Sequence, residues 1–164
     1  MLISRINHTT DIILKTFMKF LKPLLFGIIT FSASTFSLSQ TSLDPTGTYN
    51  QGKIEKDSEI YGYFGIIQVK KLSETTIVMT FYTCKGAPSY NSGSFVDTLD
   101  FINNTVTFTN DDCVTTFNFT KKGIDVTEKS EQDCWGHGVV AHGHFRKKSN
   151  KQPVLIEPFT GEKI

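Results

Sequence analysis

The feature that most constrains this chain is the alternation of apolar and polar residues that runs through it after residue 40. Side chains that change face at every residue belong to half-buried strands; a helix would bring apolar positions together three and four apart. Residues 75–83 show the pattern best, with Ile77, Met79 and Phe81 on one face and Val78, Thr80 and Tyr82 on the other. Residues 94–101 set Phe95, Asp97, Leu99 and Phe101 against Val96, Thr98 and Asp100. Val106 and Phe108 share a face in 105–109, as do Cys113, Thr115, Phe117 and Phe119 in 113–120. Residues 139–146 place Val139, Ala141, Gly143 and Phe145 opposite Val140, His142, His144 and Arg146. The aromatic, β-branched stretch 61–72, with Gly62 and Gly65 inside it, and the short run 124–127 complete the set.

Between these runs lie turn signals: Leu72-Ser73-Glu74, residues 86–93 with Pro88, Asn103-Asn104, Asn110-Asp111-Asp112 and Lys121-Lys122-Gly123. Connections this short make hairpins, hence antiparallel neighbours, because parallel strands need crossovers of about a dozen residues or more. The expectation is therefore an all-β fold of seven or eight short strands, an antiparallel meander closed into a small calycin-like barrel. A sandwich is the other arrangement, but closure removes exposed strand edges. After Lys147 the composition shifts, and Val154-Leu155-Ile156 sits between prolines and lysines. Residues 40–148 are thus read as the barrel domain and 149–164 as a C-terminal tail, either loose or docked as a strap.

The first 39 residues read as an address. Lys15, Lys19 and Lys22 precede a run from Leu24 to Phe36 that is apolar or small throughout, and Ser37-Leu38-Ser39 follows it. A basic start, a short apolar centre and a small-x-small site make a secretory signal helix cleaved after Ser39. The run is shorter than the ~20 residues a spanning helix needs, so no membrane span is expected after cleavage. Met18 opens Met-Lys-Phe-Leu-Lys, a more ordinary signal start than Met1. The chain is expected to be exported, either to the periplasm or beyond the cell. The overall charge of +1 conceals a split: residues 1–39 hold four basic residues and one acid, leaving 13 Lys and Arg against 15 Asp and Glu, a net charge of −2. That balance excludes a strongly basic nucleic-acid binder.

Three cysteines, Cys84, Cys113 and Cys134, would meet an oxidising compartment after export. Cys113 opens one strand and Cys134 precedes the last strand region, a spacing that could set both at one barrel end. Closing that loop would stabilise by about 3 kcal/mol in the chain-entropy account. Cys84 is then odd, and is a small buried hydrophobe, an intermolecular bridge or a reactive thiol. No two cysteines have zinc-finger spacing.

Asp44-Pro45-Thr46-Gly47-Thr48-Tyr49, the segment K-G-A-P-S-Y-N-S-G-S-F at 85–95 and C-W-G-H-G-V-V-A-H-G-H-F at 134–145 together resemble a family of uncharacterised exported bacterial small β-barrel domains. Those domains open on G-T-Y and close on C-G-F-G-x-x-V-x-A-x-G-x-Y, and a similar domain accompanies some lysozyme-inhibitor-like proteins. The likeness extends over residues 46–147. It implies a β-barrel and a disulfide between Cys113 and Cys134, and it implies no defined chemistry. This chain departs from the pattern with Trp135 at the usual Gly, Gly136 at the usual aromatic and Phe145 for the final Tyr.

Loops 86–93 and 134–138 are the candidate contact surfaces, with Tyr90, Asn91, Trp135 and His137 as binding residues; aromatics offer area and Asn an adaptable hydrogen bond. The plainer reading of residues 86–93 is a turn linking two strands, and of Trp135 a packing residue or a lid over the barrel end. His142 and His144 share a strand face and are weak candidates for clasping zinc or copper, but a functional site wants a third ligand, so no metal or other cofactor is expected. Catalysis is not expected either: no histidine sits in a nucleophile-elbow context, and Asp97 and Asp100 have opposite parity, so they do not converge. Asn103-Asn104-Thr105 and Asn118-Phe119-Thr120 match the glycosylation pattern by chance. The chain is expected to be a non-enzymatic, monomeric binding module of the bacterial envelope that engages a protein or glycan through its loops, with lysozyme-inhibitor-like action suggested by the resemblance alone. The alternative is a carrier holding a small apolar ligand inside the barrel. Against it, Phe81, Phe95, Phe101, Phe108, Phe117, Phe119 and Phe145 are enough to fill the interior.

Overall fold

A computed structural model describes residues 42–52, 59–130 and 133–164. The expected signal helix and the alternative start at Met18 lie outside the described residues. Eight strands follow one another: β1 (Gly47–Gln51), β2 (Phe64–Lys71), β3 (Thr76–Cys84), β4 (Ser92–Asp100), β5 (Thr105–Asn110), β6 (Cys113–Phe119), β7 (Gly123–Lys129) and β8 (Gly143–Ser149). No helix occurs among the described residues. The sheet order is β4-β3-β2-β1-β8-β7-β6-β5, and every hydrogen-bonded pair is antiparallel. The first and last strands pair, and the meander curls into a nearly closed barrel.

The one junction without a ladder is the seam between β4 and β5, although these strands are neighbours in sequence. They share a single bridge at their turn, Ile102 to Thr105, and then separate. Side chains close the seam instead: Phe95 and Phe108 stack with centroids 4.0 Å apart and planes 4° from parallel. Asp97 sits opposite Met79 on the inward-facing row of β4, yet it is exposed. A charge on the inward row and another, Asp100, at the strand's end make β4 a poor template for a second chain, which is how open edges are kept from pairing.

The alternation puts its apolar rows inside. Tyr49, Ile67, Val69, Ile77, Met79, Phe81, Phe117, Ile124 and Phe145 are at most 1% exposed. Phe81 stands at the centre, with ring centroids 5.4 Å from Phe117, 5.9 Å from Phe145 and 4.8 Å from Trp135. Each such ring contributes about 1.5–3 kcal/mol by burial, and each edge-to-face pair about 0.5–1.5 kcal/mol more. Gly65 is on the inward row because a Cβ there would lie 2.9 Å from the Phe145 ring.

Two boundaries differ from the sequence expectation. Residues 139–142 alternate as predicted, and Val139 and Ala141 are buried at 1% and 0%, but they are not strand. Their backbone joins no strand ladder: the Val139 N–H closes a turn on the Gly136 carbonyl at 2.9 Å, the Ala141 N–H donates to Glu128 Oε2 at 3.0 Å, and the Val140 carbonyl accepts from Thr83 Oγ1 at 3.1 Å. The strand predicted to start at residue 61 starts at Phe64, because Gly62 has φ +83° and turns the chain.

The tail is the strap. Leu155 is 4% exposed, and the Ile156 N–H donates to Gln68 Oε1 on the outer face of β2 at 3.0 Å. The tail doubles back as a hairpin in which the Ile164 N–H bonds the Leu155 carbonyl.

Candidate functional site

The turns joining strands divide the barrel ends unequally. One end has the short connections 72–75, 101–104 and 120–122; the other has the two-residue turn 111–112 and both long connections, 85–91 and 130–142, with residues 59–63 entering β2 beside them. Loops held by a rigid wall are where binding groups collect, and here the long loops are woven together. The Ala87 N–H donates to the Ile60 carbonyl at 2.7 Å, and the Lys85 N–H to the Asn91 carbonyl at 3.0 Å. Asn91 Nδ2 donates to the His137 carbonyl at 2.8 Å, and Tyr63 Oη to the Gly138 carbonyl at 2.8 Å. Gly86 has φ +78°, and a Cβ there would come within 2.5 Å of the Ile60 and Gly62 carbonyls, so only glycine lets these two loop segments approach this closely.

Three of the four sequence-predicted contact residues meet on this rim. Tyr90 is 44% exposed and receives the Ile60 N–H on its hydroxyl at 3.4 Å. Asn91 is half-buried and ties loop 85–91 to loop 133–138. The His137 side chain is 93% exposed and pairs with Asp133 at 3.2 Å. Trp135 is different: it is 6% exposed and points into the barrel, offering its face to Phe81, Phe95 and Phe108 rather than to a partner. Gly93 makes room for it, since a Cβ there would be 2.5 Å from the Trp135 carbonyl.

Sequence reasoning missed Tyr61 and Tyr63, which it had placed inside a strand. They are 74% and 38% exposed. The signal was the run Tyr61-Gly62-Tyr63, where a glycine between two tyrosines breaks the period-2 pattern and turns both rings outward. Tyr61 Oη donates to Glu59 Oε2 at 2.6 Å, and that bond holds its phenol above the usual range. The rim thus presents three phenols, an imidazole and an amide: aromatic area edged by hydrogen-bonding groups.

Cys113 and Cys134 are bridged, with Cα atoms 5.7 Å apart. The bridge pins the segment bearing Trp135 to the start of β6. Cys84 is a free thiol, 1% exposed, and accepts the Gly86 N–H at 3.4 Å. His144 Nδ1 lies 2.6 Å from Asp125 Oδ1 on β7, and the His142 carbonyl accepts from Gln51 Nε2. Among the described residues no group of three or more His, Cys, Asp and Glu is placed to hold a metal.

Two clefts lie on the outer wall. One of about 370 Å³ is lined by Ile66, Gln68, Thr80, Tyr82, Ile156 and Pro158, between the strap and the outward rows of β2 and β3. Burial there raises the Tyr82 phenol pKa. The other, about 710 Å³, is basic and lies across β8 and the β6–β7 turn.

Fold and site together define a small up-and-down β-barrel with an unladdered seam, a disulfide-pinned indole plug and an aromatic rim. Comparison with family models, curated proteins and solved structures finds no match for this chain.

Proposed function

We propose that this protein is an exported, non-enzymatic binding module of the bacterial envelope that engages a protein or glycan through the rim formed by Tyr61, Tyr63, Tyr90, Asn91 and His137. The observation that carries the reading is the exposure of three tyrosines from two separate loops at one barrel end. Those loops are joined by the Ala87 N–H bond to the Ile60 carbonyl, and the Asn91 side chain ties loop 85–91 to the His137 carbonyl. Tyrosine gives large contact area with only two side-chain torsions to freeze, and here the loops beneath are already ordered. A lysozyme-like enzyme as partner rests on the motif resemblance alone.

The test is capture from envelope extract with the intact chain and with a Tyr61→Ala/Tyr90→Ala variant. The expected result is a partner retained by the first and lost by the second. A partner held equally by both, or none held by either, removes the rim from the function.

A second reading, carriage of a small apolar ligand, is supported by one observation. The 370 Å³ cleft beneath the strap falls in the size range of ligand sites, but it is outside the barrel, whose interior is filled by rings. A solvatochromic apolar dye should then respond to the intact chain and not to a Tyr82→Asp variant.

A further inference from the structure

The basic cleft has no part in that reading. Lys121 and Lys122 reach it from the β6–β7 turn, Arg146 and Lys148 from the outward row of β8, and Lys147 and His144 complete it. Gly123 lies opposite Arg146 in the ladder, and the Lys147 N–H donates to the Lys122 carbonyl at 3.0 Å, so the turn and the strand are locked side by side. Five of the 13 Lys and Arg that follow residue 40 line this one depression, on a region whose net charge is −2. No carboxylate lines it.

Among the described residues the basic side chains in contact with carboxylates are Lys71 with Glu74, His137 with Asp133 and His144 with Asp125. Lys121, Lys122, Arg146 and Lys148 serve no ion pair among the described residues. Lys147 is anchored differently, with Nζ 3.3 Å from the Asp44 carbonyl and 5.4 Å from the Tyr49 ring centroid. His144 is also held: its ring rests on Gly123, where a Cβ would be 3.0 Å from Nε2, and its Nδ1 is engaged by Asp125, leaving Nε2 as its remaining polar atom. Like charges this close, within a Debye length of about 8–10 Å, repel one another, and an anion with several charges relieves all of those repulsions at once.

We propose that this cleft binds a compact ligand carrying two or more phosphate groups. Guanidinium and ammonium groups side by side match phosphate oxygens, Arg146 by its planar fork and the lysines as point charges. The concavity of about 710 Å³ suits a compact polyanion; a flat lipid surface would meet only its rim. No Phe, Tyr or Trp lines the cleft, so it lacks the row of large aromatic rings on which a single-stranded nucleic-acid groove stacks successive bases.

Titration calorimetry of the intact chain with sodium tripolyphosphate at low salt tests this. Tripolyphosphate is expected to bind at least about tenfold more tightly than inorganic phosphate, with affinity falling as salt rises. Arg146→Gln/Lys148→Gln should weaken it by about tenfold or more, since charge-assisted bonds are the strong ones. Lys121→Gln/Lys122→Gln should do the same, while Lys129→Gln, which lies outside the cleft, should leave it unchanged; melting curves confirm that each variant folds. Absence of heat, an affinity in both double variants equal to that of the intact chain, or binding to phosphatidylglycerol vesicles that tripolyphosphate does not displace would each overturn the proposal.

Discussion

The two ends of the barrel are closed by different means. At the short-turn end the strands close themselves: Phe101 and Phe119 meet edge to face at 5.2 Å, Tyr49 meets Phe119 at 6.0 Å, and the Tyr49 hydroxyl donates to the Pro45 carbonyl at 2.7 Å. The turn there uses Asn103 and Asn104 at φ +53° and +61°, and Asn104 Oδ1 also receives the Leu43 N–H at 2.8 Å. At the long-loop end no strand residue does this job. The indole of Trp135, carried in from a loop, caps Phe81 and the Phe95–Phe108 stack, and the Cys113–Cys134 bridge holds that loop in place. Closure by adjacent strands is settled by the pattern that makes the strands. Closure by a loop needs a covalent tie and glycines to admit it, and in return it leaves the rim free to carry tyrosines.

The comparison breaks most directly at Trp135. Trp135→Ala should cost about 3–5 kcal/mol, the usual penalty for emptying a buried aromatic site, read as a loss in chemical unfolding free energy. Trp135→Phe should cost much less, because Nε1 is buried with no hydrogen-bond partner among the described residues, and removing an unsatisfied donor returns part of a roughly 1–3 kcal/mol desolvation penalty. Equal losses for the two would mean that the indole N–H is satisfied and that the plug is more than an apolar ring.

Next in size is the bridge. Cys113→Ala/Cys134→Ala should lower stability by about 3 kcal/mol in the chain-entropy account. Its sharper signature is local. Amide hydrogen exchange should accelerate in 133–142 and 85–91, while Phe101, Phe119 and Ile124 at the other end keep their protection. Uniform acceleration throughout would show that the two ends are not separate cooperative regions.

These features were unequally legible in the sequence. The strands and the faces of Met79, Phe81, Phe95 and Phe117 could be read because period-2 alternation is a local signal that burial reproduces. The same signal overran at Val139 and Ala141: it reports which side chains are buried and says nothing of whether the backbone bonds to a neighbouring strand or, as here, to Glu128 and Thr83 side chains. The Cys113–Cys134 pair was suggested by spacing and resemblance. The inward turn of Trp135 was not read as its settled state, because it depends on the β4–β5 seam, and nothing in the sequence says that two consecutive strands leave their ladder unformed. Tyr61 and Tyr63 were hidden for a simpler reason, since aromatics beside Phe64 look like strand until the positive φ of Gly62 is known.

The short-turn end has its own lever at high pH. Burial raises the Tyr49 phenol pKa well above its ordinary value, with the Asp44 carboxylate adding to the effect. The folded state therefore keeps the phenolic proton at pH values where the unfolded chain has released it. Stability from this group is complete below about pH 10 and falls as pH rises beyond it, by at most about 1.4 kcal/mol per pH unit. Tyr49→Phe should cost about 1 kcal/mol at neutral pH for the lost bond to Pro45, and the deficit should shrink as pH climbs. A smaller slope remains from Tyr82, whose pKa burial also raises. Parallel stability curves for the two proteins above pH 10 would show that Tyr49 ionises without leaving its site, and hence that this end is looser than its ring contacts indicate.

The smallest effect belongs to the rim. Asn91→Ala removes the Nδ2 bond to the His137 carbonyl, which is 2.8 Å long and partly open to water. Its net contribution is about 0.5–1.5 kcal/mol, at the low end because solvent can replace the donor. The Lys85 N–H still bonds the residue 91 carbonyl, so loop 85–91 should keep its shape, and the change should appear as faster exchange in 136–138 with little shift in melting temperature. A loss as large as that of the disulfide variant would mean that the rim, rather than the indole and its bridge, is what closes this end of the barrel.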